Sequence, residues 1–184
     1  MKKAFLIIIM LLLITGFGNS QSKYPYWSVD VTGGGTLPVG TFGDGYDISG
    51  NVGADVVYHI DPFWAVYANG TYNFLKVKDD TTSSSPTTSY VEATVGPRYY
   101  FSQQKVKAYG EAGVGLYMFN MSSTTNNLSS SNSDLGMNIG AGVEVPISKD
   151  IDLTGKAKYH IVFTSGQSTT YGGIYGGINF RIPK

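Results

Sequence analysis

This sequence predicts an all-β protein, an eight-stranded antiparallel up-and-down transmembrane β-barrel. Three observations predict it: eight stretches that alternate apolar and polar residues, connections between them that alternate long and short, and a start built for export. A β-strand sends successive side chains to opposite faces, so strict alternation gives one apolar and one polar face. Short turns at one end and long loops at the other suit an even-numbered barrel wound as a meander.

The start sets the compartment. Lys2 and Lys3 precede an unbroken apolar run over residues 4–14, and Gly16, Gly18, Asn19 and Ser20 supply a small-residue cleavage region. This is the pattern of a secretory signal peptide, and the run is too short for a spanning helix. The expected division is a signal peptide over 1–20, cut near Ser20–Gln21, and a barrel domain over 21–184. Removing Lys2 and Lys3 takes the net charge from 0 to −2. No basic cluster suggests nucleic acid. The chain has no cysteine, which excludes disulfides, thiolate metal sites and thiol nucleophiles.

The strands are predicted in order over 25–35, 47–60, 63–76, 89–101, 105–119, 134–147, 151–163 and 170–182. The connections over 35–46, 77–88 and 120–133 are long, 61–62, 102–104 and 148–150 are short, and 164–169 is intermediate. No helical periodicity competes after residue 22. The loops are rich in Ser, Thr and Asn and low in charge, as exposed connections are. An apolar band of about 25 Å crossed by tilted strands needs roughly 10–11 residues each, which these segments supply. Pro97 interrupts the fourth strand; a strand proline usually marks an edge or a bulge, and a closed barrel has no edge, so a bulge is expected.

Each strand carries its charge on one face. The polar faces hold Asp30, Asp55, Glu92, Arg98, Lys107, Glu111, Glu144, Asp152, Lys156, Lys158 and Arg181. Six acids against five bases, on faces also rich in Gly and Tyr, suit a narrow lumen with an internal ion network. A charge facing lipid at the midplane costs roughly 2–4 kcal/mol, and a buried one must be paired. Aromatics on the apolar face gather near strand ends: Trp27, Tyr58, Trp64, Tyr99, Phe101 and Phe180 at the turn end, Tyr72, Phe74 and Phe163 at the loop end. Those are interfacial girdles, so the apolar face is expected to meet lipid rather than a lipocalin-like interior. Hairpin geometry pairs Phe101 with Val106 and Ile147 with Ile151, which sets Arg98 opposite Tyr109, diagonal to Lys107 and Glu111, and Glu144 diagonal to Lys156.

Four segments carry a resemblance. Residues 34–45 (GGTLPVGTFGDG), 96–101 (GPRYYF), 107–117 (KAYGEAGVGLY) and 174–182 (IYGGINFRI) resemble, in order and spacing, the outer-membrane β-barrel domain of the OmpA/OmpX and opacity-porin type. The chain departs from it at Pro183–Lys184, where a terminal Phe is common, leaving Phe180 as the nearest aromatic. The resemblance implies an eight-stranded barrel in the bacterial outer membrane; a monomer is expected, with no peptidoglycan-binding domain after the barrel. Its implied partners are outer-membrane lipid and lipopolysaccharide, the barrel-insertion machinery, and an extracellular ligand at the loops.

Signs of catalysis are weak. His59 and His160 lie on the polar face without a ligand cluster and are expected as hydrogen-bonded lumen residues; the glycine runs introduce no helix, and no serine sits in a nucleophile motif. No catalytic, cofactor-binding or metal residue is therefore assigned. The expected function is a structural or surface-interaction barrel; the alternatives are a narrow, low-conductance pore and, behind it, a lipid-modifying membrane enzyme.

Overall fold

The computed structural model describes residues 24–78, 87–102, 105–123, 128–164 and 168–182. The expected signal peptide, its cleavage site and Pro183–Lys184 lie outside the described residues, as do 79–86.

Among the described residues nine strands form, in the order β1 (Tyr26–Val39), β2 (Tyr46–Asp47), β3 (Ser49–His59), β4 (Trp64–Val77), β5 (Thr87–Tyr100), β6 (Lys107–Ser123), β7 (Leu128–Pro146), β8 (Ile151–Phe163) and β9 (Ser168–Ile182). Eight of them close a barrel: neighbours in sequence pair antiparallel, β1 pairs β9, and β2 is a two-residue addition to the upper end of β4. In β4, side chains from Trp64 to Lys76 alternate strictly between exposed and buried. Asp30, Asp55, Arg98 and Asp152 are buried, while Val31, Val114, Leu135 and Ile139 are more than half exposed. Only a lipid surround makes this arrangement stable, because water would penalise the outside and an unpaired interior would penalise the inside. Val114→Arg should accordingly cost about 2–4 kcal/mol near the midplane. Reversible urea unfolding in lipid vesicles reads that loss.

The structure corrects four expectations. The first loop, expected over 35–46, is partly strand. β1 runs on to Val39 because β9 supplies partners as far as Thr170. Gly40, at φ 59°, then turns the chain into a one-turn helix, α1 (Thr41–Gly45), where no helix was expected. The loop expected over 120–133 is mostly a hairpin, paired out to Ser123 opposite Leu128. A ladder is made by the backbone and needs no apolar side chains, so pairing continues where apolar alternation ends. No bulge forms at Pro97. Val95 pairs Val114 and Arg98 pairs Glu111 in one unchanged register, and only the two intervening pairs drop out of the β5–β6 ladder. Finally, Phe101 bonds to Ala108 rather than facing Val106, which sets Arg98 directly opposite Glu111 and leaves Tyr109 opposite Tyr100.

Candidate functional site: the lumen and its mouth

The polar faces converge on a lumen with three layers. At the turn end, Tyr26 stacks on His59 (4.2 Å), whose Nε2 lies 3.0 Å from Ser28 Oγ. Arg181 donates to Asp152 through Nε (3.1 Å) and Nη2 (2.7 Å to Oδ2), and Lys107 Nζ sits 3.5 Å from the same carboxylate.

The middle layer is built around Arg98, fully buried. Its Nε donates to Glu111 (2.8 Å) and Nη2 to Asp55 (2.9 Å), while Nη1 lies 3.4 Å from Glu144 and 3.5 Å from Asp30. The guanidinium also rests on the Tyr109 ring, 4.2 Å from its centroid. Five fixed donors in a planar fork allow one arginine to serve four acids, which lysine could not do. Lys156 pairs with Asp55, and Lys158 Nζ lies 2.9 Å from Glu111. Tyr100 donates to Glu144 (2.8 Å) and Tyr67 to Asn138 (2.9 Å).

The lumen glycines do not leave open space. A Cβ on Gly113 would meet the Tyr67 hydroxyl at 2.3 Å, and one on Gly136 would meet the Tyr117 ring at 2.7 Å. Gly113, Gly136 and Gly142 are flat seats for the side chains of Tyr67, Tyr117 and Tyr109, whereas at Gly96, Gly115 and Gly177 the nearest atoms are neighbouring backbone. Small residues on one strand and large ones across the barrel thus fill an interior that eight strands make only wide enough for side chains.

The loop-side layer holds Glu92, which accepts from Tyr171 and lies 3.4 Å from His160 Nδ1. His160 stacks on Tyr171 (4.4 Å, near-parallel) and pairs with Tyr117 at 3.1 Å. Above it, Leu75, Tyr90, Tyr117, Val162 and Tyr171 form an apolar cluster, and α1 and β2 turn Phe42 and Tyr46 inward against it. Phe42 stands 6.3 Å from Tyr90 and 6.4 Å from Tyr171, and Tyr46 stands 6.2 Å from Phe119. Burial raises the pKa of the Tyr46 hydroxyl above the usual phenol value. Lys78 Nζ holds the segment by donating to Gly43 O (2.6 Å). The first loop therefore lays a half-buried stopper, Phe42 and Tyr46, over this cluster.

All eleven charged residues expected inside face the lumen, and Arg98 meets Glu111 as expected, though directly opposite rather than diagonal; other partners differ. Glu144 pairs with Arg98 and Lys107 rather than Lys156, and Lys156 reaches across the barrel to Asp55, 101 positions away in sequence. On the outside, Trp27 meets Tyr58 (4.6 Å), Trp64 meets Tyr99 (4.9 Å) and Tyr99 meets Phe101 (5.4 Å) at the turn end. Tyr72 meets Phe74 (4.9 Å) at the loop end, and Phe163 and Phe180 are exposed. The stopper was missed. Its signal is two aromatics spaced among glycines at 42–46, a pattern that a plain solvated loop does not need.

The profile of the outer membrane protein beta-barrel domain matches residues 9–181. The chain belongs to that family. It is a small barrel of the bacterial outer membrane. No curated protein sequence matches the chain. Among solved structures, the barrel is similar to Neisserial surface protein A (14% identity, TM-score 0.70, covering 85% of this chain and 97% of that one). It is also similar to Ail, the attachment invasion locus protein of Yersinia pestis (18%, 0.58, 87% and 100%). The outer membrane protein OprG of Pseudomonas aeruginosa is a third (13%, 0.60, 87% and 98%). At these identities the likeness is one of fold.

Proposed function

We propose that the protein is a closed, non-conducting platform that acts through the segments it presents at the cell surface. The observation that carries this reading is the double closure of the lumen: the Arg98 knot at its centre and the Phe42–Tyr46 stopper at its mouth. A path for solutes would have to break ion pairs whose groups are removed from water, which is costly. In this reading residues 1–20 direct export and are removed, and 21–184 are inserted by the barrel-insertion machinery as a monomer. The turns face the periplasm and the loop-side hairpins face outward, with lipid and lipopolysaccharide around the wall. The work is binding rather than catalysis. Two similar structures support a surface role by their own descriptions, a surface protein and an attachment invasion locus protein; the latter is also seen with a heparin analogue.

Planar-bilayer recording tests closure. The wild-type barrel and the Phe42→Ala/Tyr46→Ala variant should both show no reproducible channel steps, because the Arg98 layer persists beneath the stopper. Steps in the wild type would favour the pore. The surface role is tested by capture of extracellular or envelope components with the barrel in nanodiscs. Exchange of 79–86 and 124–127 for Gly-Ser linkers should abolish capture, while heat-modifiable mobility is retained.

A further inference from the structure

The outer wall is not smooth. A groove of about 580 Å³ crosses β5 to β8. Its loop-side bank is the row Val95, Val114, Met137 and Ile161, matched by register across the four strands. Its turn-side bank is the next row, Pro97, Ala112, Ile139 and Tyr159. Between the rows lie Gly96, Gly113 and Asn138. The groove is deepest in side-chain terms at Pro97 and Ala112, the smallest members of the banks. The same place is where two pairs drop out of the β5–β6 ladder. The wall does not open there, because the strands press together: a Cβ on Gly96 would stand 1.9 Å from Ala112 O. The result is a shallow apolar trough rather than a gap.

We propose that this trough seats one acyl chain of a phospholipid whose headgroup lies at the turn-side girdle. It is continuous with the lipid-facing band, so lipid is the medium that meets it. Water gains nothing in an apolar trough. A trough left unfilled in hydrocarbon forfeits dispersion contacts along its walls, and such packing is a main source of association within a membrane. Three strand spacings give a length of about 14 Å, a large part of one chain. The direction of entry follows from the strand ends. On β5 the trough lies at Pro97, two residues from Tyr99, which packs on Trp64 in the turn-side girdle. On β8 it ends at Ile161, two residues from Phe163 near the loop side. A chain anchored at the turn side therefore runs obliquely upward from β5 to β8.

Photo-crosslinking in nanodiscs tests this. The probes are phosphatidylethanolamines with a diazirine either near the carbonyl or at the terminal carbon of one chain, present as a small fraction of the lipid. The near-carbonyl probe should label Val95 and Pro97, and the terminal probe Ile139, Tyr159 and Ile161. Each should exceed labelling of Val31, Val52 and Ile178 on the opposite wall several-fold, and should saturate as probe is added while the opposite wall stays linear. Ala112→Phe should lower trough labelling to the level of the opposite wall with heat-modifiable mobility unchanged. If that variant does not fold, the saturation curve of the wild type decides alone. Even, unsaturable labelling around the barrel overturns the proposal. So does a reversed order of probe positions, or crosslinks between two protein copies at the trough.

Discussion

Arg98→Ala should cost about 3–5 kcal/mol, the penalty for removing one partner from a buried ionic cluster. The loss is large because the neighbours cannot follow. Asp30, Asp55, Glu111 and Glu144 all lie within 3.5 Å of the guanidinium and are buried with it. Without it, Lys156 and Lys158 remain for Asp55 and Glu111, and Lys107 sits 3.9 Å from Glu144. Asp30 retains Asn179 as a donor but loses its cation. Arg98→Lys restores charge without the fork, so it should recover only part of the loss. Urea unfolding of vesicle-inserted protein, followed by heat-modifiable gel mobility, measures both. A wild-type midpoint for Arg98→Ala would mean that the knot does not hold the barrel.

Gly177→Val should prevent clean closure of the barrel, at a cost of about 3 kcal/mol or more from overpacking. Closure is made by the β1–β9 seam, where the two ends of the chain meet. Here the strands approach so closely that a Cβ on Gly177 would stand 2.0 Å from Val31 O, and one on Gly34 would stand 1.8 Å from Ile174 O. The obstacle is backbone, which cannot rotate aside as a side chain can. Gly176 is the internal control. It sits in the same seam, yet nothing lies within 4 Å of its would-be Cβ. Gly176→Val should leave the barrel intact. Folding yield into vesicles separates the two, and equal yields would contradict a backbone-tight seam.

The face of each residue was legible from the sequence because side-chain direction depends only on position along a strand. Arg98 and Glu111 could be placed inside from alternation alone. Their nearness to each other was legible as well, but partners across the barrel could not be read, because the Lys156–Asp55 contact depends on how strands far apart in sequence meet once the barrel closes. The hairpin between β5 and β6 shows the same limit on a smaller scale: faces survived a register two residues off the expected one. The stopper was hidden for a different reason. Phe42 and Tyr46 follow no strand period, and their partial burial depends on a mouth formed by β4, β5, β6, β8 and β9. Ser, Thr and Asn at 120–133 concealed strand extension because composition reports solvent, not backbone pairing.

In the proposed barrel, apolar faces meet lipid around a filled, closed lumen. The absence of cysteine allows single reporters without background. Thr94 and Thr154 are buried in the lumen, and their hydroxyls bond to none of the described residues, so Thr→Cys at either breaks no side-chain contact within the described barrel. In the folded, vesicle-inserted barrel, Thr94→Cys and Thr154→Cys should resist a charged, water-soluble methanethiosulfonate, and Val114→Cys should react only with a membrane-soluble maleimide. Rapid modification of Thr94→Cys by the water-soluble reagent would instead reveal an open, water-filled lumen.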